Sequence, residues 1–286
     1  MKVRVKYAKR GNLRFVGHLD MMRYFQKANR RAAIPIAYSE GFSPHQIMSF
    51  AAPLGMGLES VAEYFDIRLT DEGAETISSS EAIRSLNAQM AEGIEILSFL
   101  RIPDDAKNCM SIVHAADYTL TFLEEAVTEE RRTGKTERSE AETEESRMGK
   151  AKLPEAVTEE DMMGKAKLPE AVTEEGGKSD QIRALAAAVE ELLACPELLV
   201  TKKGKKGNLR EIDIRPMILQ LGADQMTLSM RVAQGSEANL KPELLVRALF
   251  STASGRVLSD LRFRILRTEL YDAEMNSLES YGEQIE

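Results

Sequence analysis

Two cysteines, Cys109 and Cys195, and three histidines, His18, His45 and His114, are all that 286 residues contain of either type. So few thiols make no disulfide scaffold and fit a reducing cytoplasm. They cannot supply the thiolate set of a radical-type iron–sulfur cluster, so the chain itself is not expected to be a radical enzyme. Neither cysteine stands at ligand spacing to a histidine, so no metal site is expected. No run approaches the ~18 uncharged apolar residues that span a bilayer. Met1-Lys2-Val3-Arg4-Val5-Lys6 alternates charge with valine where a signal peptide has an apolar core. A Walker-type loop and a dinucleotide fingerprint are both missing, and Gly55-Met56-Gly57 reads as a turn. Tryptophan is absent and aromatics make up 6%, but apolar residues reach 43% and charged ones 29%. That composition suits a soluble globular protein with a real core and excludes collagen-like, mucin-like and wholly disordered classes.

The net charge of −8 argues against nucleic acid only until it is divided along the chain. Residues 124–178 hold 16 acids against 10 bases, while residues 1–123 balance at 14 of each and 179–286 carry 14 bases against 16 acids. Within residues 1–31, ten Lys and Arg face one acid, Asp20. Screening confines charge interactions to about 10 Å, so a dense basic patch attracts phosphate whatever the total. The acidic segment is also repetitive: Met148–Glu160 recurs as Met163–Glu175, and Ala126–Glu130 carries the Ala-Val-Thr-Glu-Glu core once more. Pro154, Gly164 and Pro169 break so short a repeat, which reads as a disordered acidic linker rather than a solenoid, with a docking arm for a basic partner as the rival.

Alternation of Val3, Val5 and Tyr7 predicts a strand, and Gly11-Asn12 a turn into a helix over 18–33. Strands follow at 47–51, 61–69 and 94–102, with a helix over 80–91 opened by Ser78-Ser79-Ser80. The order is that of a βαββαβ ferredoxin-like unit. A second such pattern follows: a strand at 115–123, a helix over 180–194 capped by Asp180, a hairpin of 198–202 with 209–214, a strand at 225–232, a helix over 242–250 and a strand at 261–270. The expectation is an α+β fold of two ferredoxin-like halves with antiparallel sheets, the second interrupted by the linker. The domains would be residues 1–105, residues 106–123 plus 179–272, the linker 124–178 and a frayed tail 273–286.

On the first helix, Met21, Phe25, Ala28 and Ala32 share one face, and Arg23, Lys27, Arg30 and Arg31 the other. With Lys9, Arg10 and Arg14 in the preceding loop, this ridge suits a phosphate backbone, or it is an ordinary solvated face. Lys202, Lys203, Lys205 and Lys206, with Arg210 behind, form a second basic site at the hairpin tip. His18 and Asp20 open the helix, either as caps or as groups that hold an anion or position a reacting atom. In Tyr38-Ser39-Glu40-Gly41-Phe42-Ser43-Pro44-His45, Gly41 permits a left-handed turn and Pro44 stiffens it. Phe42 either stacks on a base or plugs into the core, and His45, Ser39 and Ser43 offer hydrogen bonds. Glu63 and Asp66 are expected on opposite faces of their strand, not as an acid–base pair.

Gly17-His18-Leu19-Asp20 with Arg23, Arg30 and Arg31, then Tyr38 to His45 and Pro53-Leu54-Gly55, with Asp213-Ile214-Arg215-Pro216 compatible later, resembles the uncharacterised bacterial radical-SAM-linked family, a domain of unknown function. The resemblance implies a companion of a separate radical-SAM protein, which would carry the iron–sulfur cluster and S-adenosylmethionine, and a link to RNA or a ribosome-related RNP. The family pattern continues after His45 with Pro and Lys, where this chain has Gln46 and Ile47. The first expectation is therefore a non-catalytic, RNA-binding accessory protein with no cofactor of its own and no membrane partner. The alternatives are an RNA-modifying enzyme of pseudouridine-synthase-like architecture using Asp20 with His18 or His45, and a protein-binding scaffold.

Overall fold

The computed structural model describes residues 1–123, 174–203 and 209–286. The linker expected from residue 124 therefore lies, up to residue 173, outside the described residues. The chain is mixed α+β, built on a mostly antiparallel sheet of nine strands with a separate two-stranded hairpin.

The first unit runs β1 (Lys2–Lys9), α1 (His18–Arg31), β2 (Met48–Phe50), β3 (Glu59–Arg68), a short α2 (Asp71–Ala74), α3 (Ser79–Asn87) and β4 (Ile94–Ile102). Its sheet order is β4-β1-β3-β2. Serine 78 caps α3 by accepting the Glu81 amide, as the serine run predicts. Apolar alternation on β1 puts Val3, Val5 and Tyr7 against Phe25 of α1 and against Phe65 and Phe99, all fully or almost fully buried. Burying one such phenylalanine contributes about 1.5–3 kcal/mol. Phe25 and Tyr7 meet edge-on at 4.7 Å between ring centroids.

After a turn of helix α4 (Cys109–Ile112), the second unit runs β5 (Ala115–Phe122), α5 (Glu174–Ala194), the hairpin β6 (Leu199–Lys203) and β7 (Leu209–Asp213), then β8 (Ile218–Asp224), β9 (Thr227–Ala233), α6 (Pro242–Ser251) and β10 (Phe263–Tyr271). Its order, β10-β5-β9-β8, repeats the fourth-first-third-second sequence of the first unit. The units share one sheet because β10 pairs with β3, in parallel, at Leu266–Glu59 and Arg267–Ser60.

Three expectations change. Asp180 does not cap α5, which starts six residues earlier and carries it inside. The strand expected at 225–232 is β9, but it is preceded by an unexpected partner, β8, the two turning at Gln225 with a positive φ of 49°. The tail does not fray. Leu278 is fully buried, and β11 (Glu283–Gln284) adds an edge strand to β4 at Arg101 and Leu100. The Arg4 guanidinium explains the anchoring: it donates to the Leu278 carbonyl at 3.0 Å while forking onto Asp66 at 2.8 and 3.1 Å. No described helix is long and apolar enough to cross a membrane.

Candidate nucleic-acid interface

Helix α1 buries Met21, Phe25, Ala28 and Asn29 and exposes Arg23, Lys27, Arg30 and Arg31, so its two faces divide as the spacing predicts. The wider ridge thins once partners are counted. Lys9 is not in a loop: β1 continues through it, between Ser60 of β3 and Ile94 of β4, and it is 3% exposed. It faces no polyanion, and burial pulls its ammonium below the usual lysine range. Arg10 stands 3.6 Å from Glu95, and Arg14 3.6 Å from Glu59 while stacking on the exposed Phe15 ring. Arg31 donates to the Gln89 side chain and carbonyl. Arg23 shares Asp20 at 3.6 Å, one helical turn away. Lys27 and Arg30 have no hydrogen-bond or ion-pair partner among the described residues.

The helix entrance is plain. Gly17 is the N-cap and no side chain caps it, so neither His18 nor Asp20 plays that part. Asp20 is 70% exposed beside Arg23, and the His18 ring packs edge-on against Phe50 at 5.3 Å. His45 lies elsewhere, on the loop between α1 and β2. These three groups form no common constellation.

That loop is a small hairpin: Tyr38 bridges Gln46, the Ser39 amide donates to the His45 carbonyl at 2.8 Å, and Ile47 returns to Ala37. Gly41 sits at φ +107°, the left-handed conformation its tip requires. Ser39 Oγ lies 2.8 Å from His45 Nδ1 and also accepts the His45 amide, which squares off the base of the tip. Phe42 is fully exposed at 112%, so it does not plug the core. Glu40, Ser43 and Pro44 stand in solvent around it.

Gln46 is the clip that sequence reasoning missed. Its side chain is buried, donates to the Gln26 carbonyl of α1 at 3.1 Å and accepts from Asn29 at 3.3 Å. The clip ties the base of the Phe42 loop to α1, the helix that also carries the two unpartnered cations. A second miss is a row of buried acids on β3. Asp66 pairs with Arg4, Glu63 with Arg267 at 2.5 Å, and Glu59 with Arg14 and Arg264 at 3.6 and 3.7 Å. Glu63 and Asp66 thus turn to different arginines. The signal available for Glu59 and Glu63 was Arg264 and Arg267, cations on the mostly apolar start of β10.

Of the hairpin site, Arg210 is exposed on β7, the backbone of Lys202 and Lys203 belongs to β6, and Lys205 and Lys206 lie outside the described residues. The model of a family described as an uncharacterized protein conserved in bacteria (DUF2344) matches residues 2–242. No curated protein matches the chain.

Proposed function

We propose, from the premise that this chain belongs to the DUF2344 family of uncharacterized proteins conserved in bacteria, that it is a non-catalytic module that binds single-stranded RNA. The observation that carries the reading is the wholly exposed Phe42 ring on a loop clipped to α1, the helix whose outer face carries unpartnered Lys27 and Arg30. An aromatic face stacks on any base, and the flanking cations neutralise the backbone. Asp20, largely solvated and shared with Arg23, has none of the shielding that tunes a catalytic carboxylate, which speaks for binding over catalysis. The repeated fourth-first-third-second order supports reading each unit as ferredoxin-like. The resemblance to radical-SAM-linked proteins makes a cytoplasmic radical-SAM enzyme, with its own iron–sulfur cluster and S-adenosylmethionine, the partner to which such a module delivers RNA or RNP.

Fluorescence anisotropy with 3′-labelled single-stranded RNA over about 50–200 mM salt tests it. Contacts from Arg23, Lys27 and Arg30 give a log–log salt slope of roughly −2. Phe42→Ala weakens binding by about 1–3 kcal/mol at every salt concentration. Lys27→Ala with Arg30→Ala flattens the slope. Absence of binding, or a slope that ignores those substitutions, refutes the proposal.

A further inference from the structure

The opposite flank of the same loop walls a cleft of about 440 Å³, within the range of small-molecule sites. Lys2 and Arg68 line it together with Ser39 and His45, over an apolar floor that includes Met48 and Ile67. Lys2 and Arg68 are direct cross-strand partners on β1 and β3. Like charges so placed repel, and no acid stands between them. The cleft's one carboxylate, Asp66, is spent: it accepts both prongs of Arg4 and the Cys109 amide at 2.8 Å. Lys2 gives one of its three N–H groups to the Ala106 carbonyl at 2.6 Å, and the exposed Arg68 guanidinium has no partner among the described residues. His45 turns Nδ1 to Ser39, which leaves Nε2 free of the protein. The recess is thus net positive, partly shielded and rich in uncommitted donors.

We infer that this cleft is a phosphomonoester site, formed by Lys2 and Arg68 with His45 at its rim. A phosphomonoester dianion relieves the cross-strand repulsion and takes the fork geometry that arginine presents. Its source is either the 5′-phosphate end of the RNA or a free nucleoside monophosphate. The RNA-end form rests on the RNA-binding reading; the mononucleotide form does not.

Anisotropy with 3′-labelled RNA oligomers of one sequence, bearing a 5′-phosphate or a 5′-hydroxyl, is paired with calorimetric titration of AMP and inorganic phosphate. The phosphorylated oligomer is expected to bind about tenfold tighter or more, as charge-assisted hydrogen bonds give. Arg68→Ala is expected to erase that difference while leaving the hydroxyl oligomer's affinity unchanged. Binding of AMP, sensitive to Arg68→Ala, with neither oligomer bound supports the cleft as a mononucleotide site and removes the RNA reading. Equal binding of both oligomers with no response to AMP or phosphate overturns the cleft and leaves the RNA reading standing. A phosphate preference that survives both Arg68→Ala and Lys2→Ala also overturns it.

Discussion

Arg267 and Glu63 hold the two units together, and separating them is the sharpest test of that reading. The guanidinium is 1% exposed and the carboxylate 5%, with Arg267 Nη2 donating to Glu63 at 2.5 Å and Nη1 to the Ala52 carbonyl at 2.8 Å. Arg267→Met strands Glu63 inside the protein, which costs about 3–5 kcal/mol. Over a urea slope of about 3 kcal/mol/M, the midpoint falls by roughly 1–1.7 M. Glu63→Leu combined with Arg267→Met removes both charges and is expected to recover most of the loss, since a buried pair contributes little against an apolar replacement. In the double variant the raising effect of Glu63 and the lowering effect of Arg267 on Lys9 leave together, whereas the single variant leaves Lys9 facing Glu63 alone. Arg264→Ala removes a half-exposed guanidinium 3.7 Å from Glu59, which keeps Arg14 and the Gly11 amide, so it serves as the control and costs at most about 1 kcal/mol. A single variant that costs under about 1 kcal/mol, or a double variant no better than the single, refutes the reasoning.

Other outcomes follow from the same charges. Lys9, protonated less readily in the folded chain than in the unfolded one, makes stability rise with pH between its lowered value and the ordinary lysine range near about 10.4; Lys9→Met is expected to abolish that rise in urea midpoints measured across the window. At the C-terminal segment, hydrogen bonds from Tyr281 and Asn276 to Asp272, and from Lys6 to Glu279, hold both carboxyls below their usual range against the opposing effect of burial. Their contribution is complete above the ordinary carboxylate range and is lost as pH falls through the lower folded values, so hydrogen exchange is expected to find β11 released in acid before the central strands. The bond to Asp272 pushes Tyr281 up to about 12, so the contribution of that hydroxyl is present below the ordinary tyrosine range and lost as pH rises through the folded value. Gln46→Ala removes the clip and leaves Asn29 Nδ2 without its Gln46 acceptor, costing about 1–3 kcal/mol; faster exchange confined to residues 38–47 is the expected mark, and unchanged protection there refutes the clip.

Local rules made most elements legible. Alternation in Val3, Val5 and Tyr7 located β1, serines located the start of α3, and 94–102 is a strand at the bounds its apolar residues suggest. The failures have physical causes. β8 went unread because its hairpin turns at Asp224-Gln225, with Gln225 at positive φ, where the usual turn signal is Asn-Gly or Asp-Gly. The tail looked frayed because what anchors it is Arg4, 274 residues away in sequence. Lys9 looked like a loop cation because one residue of strand extension decides whether its ammonium meets solvent or Ser60.

The candidate interface was half legible for a related reason. Helical periodicity alone sorts Arg23, Lys27 and Arg30 to the outer face, since one face must cover the sheet. Which cations keep their charge free depends on where the acids go, and that is a tertiary matter. Three acids of β3 turn inward and draw Arg4, Arg267, Arg14 and Arg264 to them. Asp66 and Glu63 therefore each cancel a buried cation, and Glu59 is shared by two partly exposed ones. The outer face of α1 has only Asp20 within one turn, spent on Arg23, so Lys27 and Arg30 stay uncompensated. A chain of net charge −8 thus presents a locally positive helix, because carboxylates neutralised inside enter the total but not the field at Lys27 and Arg30.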